Sequence, residues 1–112
     1  MINLRQRRDF LAANAGKRAP MPGFVLLVRD RADADATMRI GFTVTKKIGN
    51  AVTRNRMKRR LRALARHLLP ERGCPGADHV LIGRVGGNDR PFALLLTDLE
   101  KALQRIAPRP VA

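Results

Sequence analysis

The hydrophobic period of this chain changes at Gly49-Asn50, and a chain with that change must pass from a strand into a helix. Before it, Met38, Ile40, Phe42 and Val44 fall on one side and Arg39, Gly41, Thr43 and Thr45 on the other. A period of two over eight residues is that of a strand with one buried and one polar face. After it, Met57, Leu61, Leu64 and Leu68 recur at the spacing of a single helical stripe. Gly49 breaks the strand phase, and Asn50 is a residue type that caps helices by accepting a main-chain N–H. The spacing predicts a helix over Ala51–Leu69, stopped by Pro70 and Gly73.

The flanking segments extend this unit on both sides. Residues 1–8 are basic and expected to be loosely ordered. A short helix is expected from Asp9 to Ala15, with Asp9 favourable at its start and Gly16 at its end. Two prolines and a glycine make Lys17–Gly23 a loop. Phe24–Arg29 is an apolar run without alternation, which suits a strand covered on both faces. The polar, alanine-rich stretch Asp30–Thr37 would then connect it to Met38–Thr45 as an antiparallel pair. His79–Val85 reads as a third strand, and Gly86–Asp89 as a turn. A last helix, capped by Asp89 with Pro91 near its first position, carries Phe92, Leu95 or Leu96, Leu99, Leu103 and Ile106 on one side and ends at Pro108 and Pro110. The order is helix, strand, strand, helix, strand, helix: an α/β (α+β) two-layer sandwich on one small sheet, in a single domain over 1–112 with its core at about 4–106. The basic helix forms a βαβ crossover if the strands on either side of it are parallel.

Charge separates the possible partners. No Asp or Glu lies between Asp35 and Glu71, whereas ten of the chain's 23 Lys and Arg do, and the net charge is +14. On the helix, Asn55, Lys58, Arg59, Arg62 and Arg66 lie opposite the apolar stripe, with Arg54 and Arg60 flanking it. Solvated helix faces mix signs to gain i,i+4 pairs; here the pairs are neutral–basic or basic–basic, which destabilise an isolated helix. Binding to a phosphate chain accounts for that cost, because cations aligned along one face release condensed counterions on contact. No apolar run approaches the length of a membrane span, and the N-terminus has no apolar core of signal-peptide type, so a cytoplasmic protein without a membrane partner is expected.

Catalytic chemistry is not visible. The single cysteine, Cys74, excludes an internal disulfide and a multi-cysteine metal site. His67 and His79 lie in different elements without an evident partner, and Asp30, Asp33 and Asp35 cluster in a polar loop where solvated acids are ordinary. Neither phosphate-loop glycine pattern occurs. The residues alone leave three rivals open. A structural RNA-binding protein, a DNA regulator with its helix in the major groove, and a protein-only nuclease differ in RNA preference and in whether the isolated protein cleaves.

The string Thr43-Val44-Thr45-Lys46-Lys47-Ile48-Gly49-Asn50-Ala51-Val52-Thr53-Arg54-Asn55-Arg56-Met57-Lys58-Arg59-Arg60-Leu61-Arg62 closely resembles the signature of the bacterial ribonuclease P protein components. Asp9-Phe10, Phe24–Leu26 and Asp78–Arg84 resemble the family's first helix, first long strand and the strand after the basic helix. The resemblance implies a left-handed βαβ crossover similar to the second domain of ribosomal protein S5, where the general rule would give a right-handed one. It implies the non-catalytic protein subunit of an RNA-based endonuclease, with catalytic RNA and precursor tRNA as partners and no obligate protein partner. The RNA removes the 5′ leader of precursor tRNA with Mg²⁺, and the protein strengthens functional Mg²⁺ binding and broadens substrate range. No metal site on the protein alone is implied. By position, Lys46, Lys47, Arg54, Asn55, Arg56, Lys58, Arg59 and Arg62 are the implied RNA contacts, and Phe10, Thr43 and Thr45 the implied lining of the leader cleft. Asn14 and Leu27 stand where the family often has aromatics, so leader binding is expected to lean on charge more than on stacking.

Overall fold

The computed structural model describes residues 1–106. Its elements are β1 (Ile2–Asn3), α1 (Arg7–Ala13), β2 (Lys17–Pro20), β3 (Phe24–Asp30), β4 (Arg39–Thr43), a 3₁₀ turn at Lys46–Ile48, α2 (Ala51–Arg72), β5 (Ala77–Gly83), a second 3₁₀ turn at Val85–Asn88, and α3 (Phe92–Ile106). The five strands form one mixed sheet in the order β1-β4-β5-β3-β2. The α+β two-layer architecture is as expected, with α2 and α3 on one face; α1 covers part of the other.

Several local expectations are corrected. β3 and β4 do not pair: β5 lies between them, antiparallel to β3 and parallel to β4. The hairpin reading failed because the alternation of a strand specifies its faces and not its neighbour. The β4–α2–β5 segment is thus a crossover between parallel strands. Lys17–Gly23 is not all loop, since β2 pairs with β3 over Lys17–Pro20. Pro20 is tolerated because β2 is an edge strand, where a missing N–H breaks no ladder. The first eight residues are not free either. Ile2 and Asn3 pair in parallel with Arg39 and Ile40, and Leu4 is buried.

The helix boundaries also move. α1 starts two residues earlier than expected, with Asp9 in its first turn. α2 runs past Pro70, whose missing N–H forfeits one bond in the final turn; Gly73 N–H then donates to Leu69 C=O at 2.8 Å and closes the helix. Asn50 caps α2 as expected, its Oδ1 accepting from Thr53 N–H at 2.9 Å. Gly49 joins the 3₁₀ turn to that cap at φ +145°, a conformation L side chains rarely adopt. α3 begins one residue after Pro91, whose carbonyl accepts from Leu94 and Leu95. Pro108 and Pro110 lie outside the described residues.

The core explains why a helix this basic forms at all. Met57, Leu61, Leu64, Ala65 and Leu69 of α2 are almost fully buried against Phe24, Leu26, Leu81, Leu95 and Leu99. Each large apolar side chain contributes about 1.5–3 kcal/mol by burial. A like-charge pair one turn apart costs only about 0.2–0.5 kcal/mol, so packing wins. β3 is buried on both faces as its lack of alternation requires. Phe24, Leu26 and Val28 meet the helix layer, and Val25 and Leu27 join Leu4, Ala13 and Val80 under α1.

Candidate nucleic-acid interface

α2 distributes its cations over two flanks of the buried stripe. On one flank Asn55, Lys58, Arg59 and Arg62 line a shallow hollow of about 520 Å³ together with Val52. Asn55, Arg59 and Arg62 are exposed and Lys58 is half-buried. On the other flank Arg60 is held internally, donating to the Arg90 carbonyl, while Arg56 is exposed. Arg54 continues the line of the apolar stripe at its N-terminal end; it is half-buried and its Nε has no partner. Lys46 and Lys47 project from the exposed 3₁₀ turn just before the helix. The eight basic-motif residues therefore lie in the 3₁₀ turn and the N-terminal part of α2, and four of them, Asn55, Lys58, Arg59 and Arg62, line one concavity. None of the seven cations among them forms an ion pair with the described residues.

Phe10 takes its place from a missing side chain. It projects from α1 onto β4 at Gly41. A Cβ built on Gly41 would lie 2.5 and 2.8 Å from the ring's Cε1 and Cζ, and 3.1 Å from Leu4 Cδ1. Phe10 lines a hollow of about 290 Å³ at the edge of β4. Strand alternation puts Thr43 on the same face as Gly41, half-buried and in register with Ile82. Thr45 lies beyond the strand end, exposed at the start of the 3₁₀ turn. Neither threonine lines the hollow at Phe10. Asn14 is exposed at the end of α1, whereas Leu27 is buried beneath α1 and so cannot offer a surface for stacking. Gly41→Ala is expected to push the ring aside rather than move backbone, costing about 1 kcal/mol at the low end for overpacking. Urea unfolding with the Phe10 ring resonances as a second probe checks this; unmoved resonances would show that the ring does not rest on Gly41.

The register exposes a feature that spacing did not. Asp78 of β5 has Arg39 and Arg29 as its direct neighbours on β4 and β3. Its side chain is fully buried. It accepts from Arg39 Nε and Nη2 at 2.7 Å each and from Arg31 Nη1 at 2.9 Å, with Arg29 Nη1 3.7 Å away. Burial pushes the carboxyl up, but the hydrogen bonds and charges of Arg39 and Arg31 outweigh it and hold Asp78 below the ordinary carboxylate range. Arg39 also reaches Asp9 of α1 at 3.4 Å, which ties the helix bearing Phe10 to the sheet. An acidic residue opposite two basic ones is visible only once three distant strands are aligned.

Other chemical candidates are engaged structurally. His79 is buried, its Nε2 accepting from Cys74 N–H at 3.0 Å, and burial pushes its pKa down so that the ring is neutral. Burial pushes the Cys74 thiol up, away from the reactive thiolate. His67 packs edge-on against Phe92, centroids 5.9 Å apart. Asp30, Asp33 and Asp35 each accept a main-chain N–H two residues on, and Asp33 also meets Arg31. Among the described residues no group of three or more His, Cys, Asp or Glu is placed to hold a metal ion. No helix among them is long and apolar enough to cross a membrane.

A family model for ribonuclease P matches residues 2–107. The ribonuclease P protein component of Erythrobacter litoralis (strain HTCC2594) is 55% identical over 102 residues, covering 91% of this chain and 83% of that protein. Its counterpart in Ruegeria pomeroyi is 49% identical over 110 residues, covering 96% and 88%. The solved RNase P protein of Thermotoga maritima superposes with a TM-score of 0.76 at 32% identity, over 95% of this chain and 98% of that one. That of Staphylococcus aureus gives 0.77 at 25% identity, over 94% of each. The match spans the basic helix, the sheet and α1 together, and this chain therefore belongs to the ribonuclease P protein family.

Proposed function

We propose that this chain is the protein subunit of a ribonuclease P whose RNA performs the cleavage, and that it assists removal of the 5′ leader from precursor tRNA. The polar flank of α2 binds the catalytic RNA through Lys58, Arg59 and Arg62, with Asn55 between them and Lys46, Lys47, Arg54 and Arg56 extending the surface. Phe10, seated on Gly41, offers the ring on which a leader base stacks, with Thr43 at the end of β4 and Thr45 just beyond it. One observation carries the reading: an exposed helix flank on which cations converge with no carboxylate partner among the described residues. Such a surface is unfavourable alone and favourable against phosphate.

The carboxylates of the acidic loop do not suit a magnesium site, because they are already engaged by main-chain N–H groups and Arg31. Mg²⁺ belongs with the RNA in this reading. The protein lowers the Mg²⁺ that the assembly needs by neutralising phosphates that the ion would otherwise have to screen. A cleavage assay on precursor tRNA at low Mg²⁺ tests this, with catalytic RNA alone, protein alone, and both. Cleavage at an appreciable rate only with both is expected. Cleavage by the protein alone would overturn the reading, and no stimulation of the RNA would leave a structural RNA-binding protein.

A further inference from the structure

We infer that the hollow at the free edge of β4 is a phosphodiester subsite, walled by Arg5, Lys58 and Arg62, that joins the α2 flank to the ring of Phe10. The inference rests on the reading of α2 as an RNA interface and adds Arg5, a residue outside the basic motif.

The hollow exists because β1 is short. Its pairing with β4 ends at Asn3 and Ile40, and Leu4 N–H adds one last bond to the Ile40 carbonyl at 2.7 Å. β4 continues to Thr43 with no strand beside it on that side. The carbonyls of Met38 and Ile40 point toward β1, and the two-residue period turns the main chain of Phe42 the same way. The Phe42 N–H thus points toward the floor of the hollow, beside the buried side chains of Leu4 and Ile40.

The walls supply the charge. Every ionisable residue lining this hollow is basic. Arg5, Lys58 and Arg62 form no ion pair among the described residues. Three like charges lining one concavity repel. A single phosphate relieves that repulsion, with a main-chain N–H to complete its coordination. Lys58 and Arg62 also line the outer hollow on α2, so they form a ridge between the two. A phosphate chain lying along α2 crosses that ridge and reaches the β4 edge, where Arg5 and Phe10 line the same hollow. The phosphodiester can belong to the catalytic RNA or to the leader, and the chemistry that recognises it is the same.

Salt-dependence series on the full chain test the inference with Arg5→Ala, Arg62→Ala, their double variant, and Arg59→Ala as a control outside the hollow. One arm measures binding of catalytic RNA. The other measures binding of precursor tRNA, with and without leader, to the reconstituted holoenzyme. Arg5→Ala is expected to flatten the log–log slope by about 0.7–0.9 in one arm. The double variant should change it by less than the sum, because both cations meet one phosphate. A change in the first arm assigns the phosphate to catalytic RNA, and a change only with leader-bearing substrate assigns it to the leader. If Arg5→Ala changes neither slope while Arg59→Ala does, or if the double is additive, the subsite is overturned. If Arg59→Ala also leaves both slopes unchanged, the α2 interface itself falls. Arg5 is exposed, and an unchanged unfolding midpoint for Arg5→Ala would show that any slope change reports binding and not folding.

Discussion

Asp78→Asn is expected to cost the fold about 3–5 kcal/mol, the usual penalty for removing one partner from a buried ion pair. Total stability of a domain this size is about 5–15 kcal/mol, so the variant should lose about a fifth of it or more. The reason is what remains. Arg31 keeps only 7% of its side chain exposed and Arg39 27%, and without the carboxylate both guanidinium groups are left beside each other in a site that water reaches only on the Arg39 side. The asparagine is the right shape but offers one acceptor where three donors converge. Equilibrium urea unfolding measures the loss. A change under 1 kcal/mol would show that the arginines swing to solvent and that the cluster is dispensable.

The same site gives a pH signature whose sign is set by the direction of the shift. The Asp78 carboxyl titrates lower in the folded state than the value of about 3.9 expected unfolded. Its contribution is therefore complete above about pH 4 and is lost as pH falls. His79 adds a separate leg. Buried neutral, it resists a proton that the unfolded chain accepts near pH 6.5, so stability begins to erode below that pH. Asp78→Asn should abolish the acid leg, and His79→Gln, which can still accept from Cys74 N–H, should abolish the leg beginning near 6.5 and leave the other intact.

These two residues also mark where sequence reading stops. The strand–helix switch at Gly49-Asn50, the buried stripe of α2 and the doubly covered β3 were legible because each is a local period. The place of β5 between β3 and β4 was not, since it joins segments about forty to sixty residues apart and no local pattern records which edges meet. The Arg39–Asp78–Arg29 row follows from that pairing and was invisible with it. β2 was obscured by Pro20, which bars a central strand and is harmless at an edge. The basic flank was legible from spacing. Its division was not: a helical projection places Arg60 and Arg62 near opposite flanks but says nothing of Arg90, which takes Arg60 out of the exposed set. Arg5 looked like part of a free tail until β1 paired with β4 and brought it beside Lys58.

Simultaneous replacement of Lys58, Arg59 and Arg62 by alanine should have the largest effect on RNA binding of any change in this chain. Each phosphate contact contributes about 0.7–0.9 to the log–log salt slope, so losing three flattens it by about 2.1–2.7 units. Between 50 and 200 mM salt the affinity of the parent protein should then fall about 20–40-fold more than that of the variant. Filter binding to catalytic RNA across that range reads the difference directly, and parallel slopes would show that these cations do not meet phosphate. Stability should move the other way. The substitutions remove the like-charge pairs Lys58/Arg62, Arg59/Arg62 and Arg62/Arg66 and install the best helix former. A gain of about 0.5–1 kcal/mol is expected, reduced by whatever the half-buried stem of Lys58 contributes. Weaker binding by a more stable protein cannot be attributed to unfolding. It would show that the face is maintained against the interest of the fold, and that the RNA, by supplying the missing negative charge, completes the structure that the protein leaves electrostatically open.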